Sequence, residues 1–93
     1  RILMDDLPVT PAALTLQAEI ARRAGRPQLA ASLERAAELV NVPDDKVLKV
    51  YESLRPGRSD RETLSSLAQE LETLYNAPLT ARFLREAAAG TYP

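Results

Sequence analysis

Few residues in this 93-residue chain have the types and spacing to do chemistry. Carboxylates stand side by side at Asp5-Asp6 and at Asp44-Asp45, and two acids share acid/base work only where burial and geometry drive their pKa values apart. Neighbours in sequence do not face each other on a helix. Asp44-Asp45 therefore reads as a first-turn complement to a helix dipole, and Asp5-Asp6 as a solvated turn. The sequence contains no Cys and no His. That removes disulfides, thiol nucleophiles, imidazole acid/base chemistry and every Cys/His metal site. The three glycines, at 25, 57 and 90, are isolated from one another, so no Gly-rich loop is available to cradle phosphate, and G-x-S-x-G, S-x-x-K and H-E-x-x-H are absent. No catalytic, cofactor-binding or metal-ligating residue is expected in this chain.

The basic residues form two groups, Arg22, Arg23 and Arg26, and Arg55, Arg58 and Arg61. A helix-turn-helix reader of DNA would use the second group, with Ser59, Asp60, Arg61 and Thr63 presented to bases and phosphates. Asp60, Glu62, Glu70 and Glu72 in the same segment would repel phosphate. Twelve Lys and Arg against 13 Asp and Glu give a formal charge of −1, which supplies no field to draw in nucleic acid or an anionic membrane. Arg22 and Arg23 also suit the negative end of a helix dipole.

The elements that must carry these residues are helices. Ala and Leu supply 15 residues each and the aromatics only 4%, which is a helix-forming composition. The expected fold class is all-α, a single small domain of about five short helices over residues 11–93, preceded by an extended N-terminal arm over residues 1–10. Thr10-Pro11 is an N-cap followed by proline at the first helical position, and Gly25 suits a left-handed C-terminal residue, so a first helix is predicted at about Pro11–Ala24. Pro27 opens a second to about Val40, with Leu29, Leu33, Ala36 and Val40 in one stripe. A third begins at Pro43-Asp44-Asp45 and ends before Pro56, with Val47, Val50, Tyr51 and Leu54 on one face. Ser59 with Glu62 matches a capping box for a fourth helix, whose Leu64, Leu67, Ala68, Leu71, Leu74 and Tyr75 share an arc and which Asn76 ends. A fifth starts at Pro78 or Thr80, carries Phe83, Leu84, Ala87 and Ala88 on one side, and closes at Gly90.

The first helix is unusual in the width of its apolar arc. Ala13, Leu14, Leu16, Ala18, Ile20, Ala21 and Ala24 spread over about 200°, which means either burial from two sides or a face for a partner. Ile2, Leu3, Met4 and Leu7 add apolar residues on the arm, to dock on a neighbour or fold back on the chain's own core. No apolar run approaches the roughly 20 residues that span a bilayer, and the chain reads as a soluble intracellular protein. It opens at Arg1, with its first Met at position 4, which points to a natural N-terminus farther upstream.

With the helices placed, the residues themselves resemble a known family. Gln17-Ala18-Glu19-Ile20-Ala21, Ala24-Gly25-Arg26-Pro27-Gln28-Leu29-Ala30 and Leu33-Glu34-Arg35-Ala36-Ala37-Glu38-Leu39 are similar to the small (gamma) subunit of adenosylcobalamin-dependent diol and glycerol dehydratases. The likeness continues through Val42-Pro43-Asp44-Asp45-Lys46-Val47-Leu48, through 51–59, through Leu67-Ala68-Gln69-Glu70-Leu71-Glu72 and through 83–88. These are packing and capping patterns, and their order and spacing cover nearly the whole chain.

The resemblance implies a heteromeric enzyme, expected as a heterohexamer built from two trios. Its large subunit holds the substrate and a monovalent cation in a TIM barrel, its medium subunit helps to bind cobalamin, and a small helical subunit sits outside. Radical chemistry there converts a 1,2-diol or glycerol to an aldehyde with loss of water, and none of it needs a residue of this chain. The small subunit clasps the large one, so Ile2, Leu3, Leu7 and Leu14, with Arg55, Arg58 and Arg61, become candidate interface residues. Two departures stand out: the family's N-terminal extension ahead of Ile2 is missing here, and Gly90-Thr91-Tyr92-Pro93 replaces a charged C-terminal tail. Cytoplasm is the expected location, with a bacterial microcompartment left open. The alternative is a free-standing helical interaction or helix-turn-helix DNA-binding module.

Overall fold

The structure, a computed structural model, describes residues 10–57 and 59–90. Five helices follow one another: α1 Pro11–Arg23, α2 Pro27–Leu39, α3 Asp44–Ser53, α4 Arg61–Leu74 and α5 Pro78–Ala88. Among the described residues there is no strand. The all-α class and the helix boundaries agree with the sequence reading to within a residue or two. Packing divides the described residues into two compact units, one ending at Val40 and the other beginning at Asn41.

In the first unit α1 and α2 form a helical hairpin. Thr10 caps α1, its Oγ1 accepting from the Ala13 N–H at 3.1 Å, and Pro11 fills the first helical position, where a missing N–H costs nothing. At the other end Gly25 takes φ +78, which an L side chain resists. Gly25 N–H then reaches Arg22 C=O at 3.1 Å and Arg26 N–H reaches Ala21 C=O at 2.9 Å, satisfying carbonyls that the helix leaves orphaned. Arg26, at φ −118 and ψ 70, lies outside the helical region that a following proline disfavours, and Pro27 restarts the helix. The seam between the helices is made of alanine: Ala18, Ala21 and Ala30 are buried, with Leu33 packed partly against them.

The second unit holds α3, α4 and α5. Asp44 and Asp45 lie in the first turn of α3, at the positive end of its dipole. Its buried side carries Val50 and Ser53, the Ser53 hydroxyl donating to Val50 C=O at 2.8 Å. Helices α4 and α5 form a second hairpin whose core is Leu64, Leu67, Leu71 and Leu84 around Ala68 and Ala81. Its turn resembles the first, with Asn76 in the left-handed region at φ 51, Ala77 at φ −118 and ψ 68, then Pro78. Ala77 N–H closes on Leu71 C=O at 3.0 Å.

One local expectation is corrected. The N-cap of α4 is Asp60, whose Oδ1 accepts from the Thr63 N–H at 2.8 Å, and the predicted Ser59–Glu62 capping box does not form. Both residues are capping types, but a carboxylate makes a charge-assisted bond to the N–H and adds a full negative charge at the positive helix end.

Candidate functional site

Among the described residues no group of three or more His, Cys, Asp or Glu could hold a metal ion, and no side-chain polar atom is buried without a hydrogen-bond partner. Asp44 and Asp45 are exposed. What the structure offers instead is surface: apolar side chains left outside, and charged pairs that hold the helices.

The wide arc of α1 splits in two. Ala18 and Ala21 are buried, and Leu14 is half-buried. Leu16 and Ile20 are 57% and 59% exposed, and Leu29 of α2 is 44% exposed. Ile20 and Leu29, with Gln17, Ala24, Arg26 and Leu33, line an open groove of about 480 Å³ along the hairpin. Beside the groove the charges are largely settled. Arg22 donates to both oxygens of Glu34, at 2.8 and 3.2 Å, and these bonds hold the Glu34 carboxyl below its ordinary value and the Arg22 guanidinium above its own. Arg23 reaches Glu19 at 3.5 Å. Arg26, at the groove's end, has no carboxylate partner among the described residues.

In the second unit Lys46 of α3 pairs with Glu70 of α4 at 2.7 Å, and Arg85 of α5 pairs with Glu72 of α4 at 2.8 Å. A second groove of about 520 Å³ runs between α3 and α4, bounded by Lys49, Glu52, Glu62 and Ser66. The hydrogen bond from the Thr63 N–H lowers the Asp60 carboxyl below its ordinary value.

The interface candidates distribute as follows. Leu14 is on α1, half-buried next to the alanine seam. Arg55, just beyond α3, is exposed and reaches Glu52 at 3.3 Å. Arg61 donates its Nε–H to the Ala88 C=O at 3.0 Å, capping the C-terminus of α5. Ile2, Leu3, Leu7 and Arg58, together with the rest of residues 1–9, lie outside the described residues. Sequence reasoning missed the Arg61 bond, the Arg22–Glu34 pair and the Arg26 position. An Arg and a Glu 12 apart across a Gly-Arg-Pro turn are a usable signal for the second; a donor 27 residues from its carbonyl has none. Of the residues that the DNA alternative would use, Asp60 and Arg61 are engaged in capping.

Comparison with known proteins shows the family. A family profile described as "Dehydratase small subunit" matches residues 1–92. The propanediol dehydratase small subunit of Citrobacter freundii is 51% identical over 89 residues, 96% of this chain and 52% of its own length. That of Salmonella typhimurium is 50% identical over 92 residues, 99% of this chain and 53% of its own. The chain thus spans about half the length of the curated relatives it matches.

Proposed function

Because the chain belongs to the dehydratase small-subunit family, we propose that it serves as a non-catalytic structural subunit of a propanediol dehydratase, in which other chains convert a 1,2-diol to an aldehyde. The observation that carries this reading is the identity of about half over nearly the whole chain to subunits of that name. The residues in hand support it, since they offer apolar surface and no reactive constellation. Exposed Leu16, Ile20 and Leu29 would each contribute to association at roughly 25 cal/mol for every Å² of apolar area removed from water.

Adenosylcobalamin and a monovalent cation belong, in this reading, to the large and medium subunits. The residues of this chain do not fit a corrinoid. The sequence has no His to reach cobalt, and the grooves on the described residues, about 480 to 520 Å³, match drug-sized ligands rather than a corrin ring with its nucleotide loop. The partners are the large and medium subunits, and no nucleic acid or membrane is required. No helix among the described residues is long and apolar enough to cross a membrane. The cytoplasm is the proposed location.

Reconstitution tests the proposal. Large and medium subunits are mixed with and without this chain, and adenosylcobalamin-dependent aldehyde formation is measured alongside the mass of the complex. The chain is expected to join the complex and to raise its activity or its lifetime, while remaining inactive alone. Equal activity and equal mass in both mixtures overturn the assignment.

A further inference from the structure

The two helical hairpins are variations on one plan, and the comparison gives the first unit's groove an occupant. In each hairpin the residue before the proline that opens the second helix takes nearly the same backbone angles, φ −118 with ψ 70 at Arg26 and φ −118 with ψ 68 at Ala77. In each, its N–H closes on a buried residue of the preceding helix, Ala21 or Leu71. Aligning those two acceptors sets Ala18 on Ala68, both buried, and Arg22 on Glu72; aligning the prolines sets Ala30 on Ala81, Leu33 on Leu84 and Glu34 on Arg85. The interhelical ion pair is therefore kept with its charges exchanged, Arg22–Glu34 in one hairpin and Glu72–Arg85 in the other, each at 2.8 Å.

The same alignment sets Leu16, Gln17 and Ile20 of α1 on Ser66, Leu67 and Glu70 of α4. In the second unit α3 lies beside that face of α4, leaving an open groove lined by Ser66, Leu67 and Glu70 between the two helices, and Lys46 from α3 reaches Glu70. Leu67, Ala77 and Leu84 are all buried. Their counterparts in the first unit, Gln17, Arg26 and Leu33, line the open groove, and Leu16, Ile20 and Leu29 stand out from it.

We propose that the groove between α1 and α2, centred on Ile20 and Leu29, is the seat of an amphipathic helix from a partner subunit, lying as α3 lies on α4 and carrying a carboxylate toward Arg26. The charge follows from the same comparison. In the second unit the anchoring pair is Lys46 on the docked helix and Glu70 on the hairpin. In the first, Ile20 takes the place of Glu70, and the Arg26 guanidinium, without a carboxylate partner among the described residues, stands in the place of buried Ala77. A helix that fits presents two or three apolar residues at i, i+3 or i+4 and i+7 to Ile20, Leu29 and Leu33, and an Asp or Glu beyond them to Arg26, with the ion pair reversed in sense.

This inference rests on the subunit reading, and the test separates the two. The complete small subunit is co-expressed with the large and medium subunits of a propanediol dehydratase, the large subunit carrying the tag. Retention of the small subunit is measured for wild type, Ile20→Asp, Arg26→Glu, Arg26→Lys and the control Leu74→Asp, whose side chain is also exposed. Circular dichroism of each isolated variant verifies its helices. Ile20→Asp is expected to reduce retention at least tenfold and Arg26→Glu about fivefold, with Arg26→Lys and Leu74→Asp close to wild type. If wild type itself is not retained, the subunit reading fails and the groove loses its partner. If wild type is retained and Ile20→Asp and Arg26→Glu are retained equally, the groove assignment alone is overturned. It is overturned as well if Ile20→Asp unfolds or dissociates the isolated small subunit, which would make the occupant a segment of the same chain or a second copy.

Discussion

The two hairpins share a three-residue connection and an interhelical ion pair, with one residue more between the paired positions in the second, yet one is built around alanine and the other around leucine. Where α4 and α5 bury Leu64, Leu67, Leu71 and Leu84, α1 and α2 bury Ala18, Ala21 and Ala30 and carry their larger side chains, Leu16, Ile20 and Leu29, outside. A buried leucine contributes about 2 kcal/mol through the hydrophobic effect, several times the share of an alanine methyl. The second unit therefore holds most of the chain's intrinsic stability. The first is a pair of closely set helices whose apolar capacity faces outward, which is the arrangement of a surface that completes its core on association.

The largest expected effect comes from removing what the alanine hairpin lacks. Leu71→Ala, at a fully buried position aligned with Ala21, is expected to destabilise the chain by about 2–5 kcal/mol in urea unfolding. A loss below about 1 kcal/mol would mean that the leucine core is not where stability resides. The converse change sharpens the contrast. Ala30 has no exposed surface, and Ala30→Leu is expected to cost about 1–3 kcal/mol by forcing α1 and α2 apart, seen as a lower melting temperature with helicity retained. Unchanged stability would show that the seam has slack.

The smallest effect is electrostatic and separates the units by residue. Glu34, held below its ordinary 4.5 first by the hydrogen bond from Arg22, and Asp60, held below 3.8 first by the Thr63 N–H, each bind fewer protons folded than unfolded. Their contribution is complete above those ordinary values and is lost as pH falls through the depressed ones. The melting temperature is expected to decline between about pH 5 and pH 3. Glu34→Gln removes the first unit's share of that slope, and Asp60→Asn, which keeps a capping side chain, removes the second's. A slope that both variants leave intact would assign acid sensitivity elsewhere.

Much of this fold was legible because its punctuation is local. Pro11, Pro27 and Pro78 open helices, Gly25 and Asn76 turn left-handed at the ends of α1 and α4, and Thr10 caps its helix. The outward apolar width of α1 was visible as well, in the spacing of Leu16 and Ile20 against Ala18 and Ala21. Ser59 misled because two capping types stand in succession and the Glu62 spacing fits the weaker one. Arg61 looked free for a partner because nothing near it in sequence marks Ala88 C=O as its acceptor. The kinship of the hairpins was hidden for a related reason. It survives in turn geometry and in an ion pair of exchanged sign, while Ala stands for Leu and Ile for Glu at the aligned positions, so residue identity erases what the backbone retains.

Both hairpins are closed by three residues, Ala24-Gly25-Arg26 and Tyr75-Asn76-Ala77, and this brevity governs the order of events as the chain folds. Closing so short a connection costs little entropy, and helix formation takes about 0.1–1 μs, so each hairpin is set by contacts between neighbours in sequence long before distant segments meet. The groove beside Ile20 is then ready-made when a second polypeptide arrives. Association becomes the meeting of two ordered surfaces, and its rate depends on diffusion and orientation rather than on a folding step.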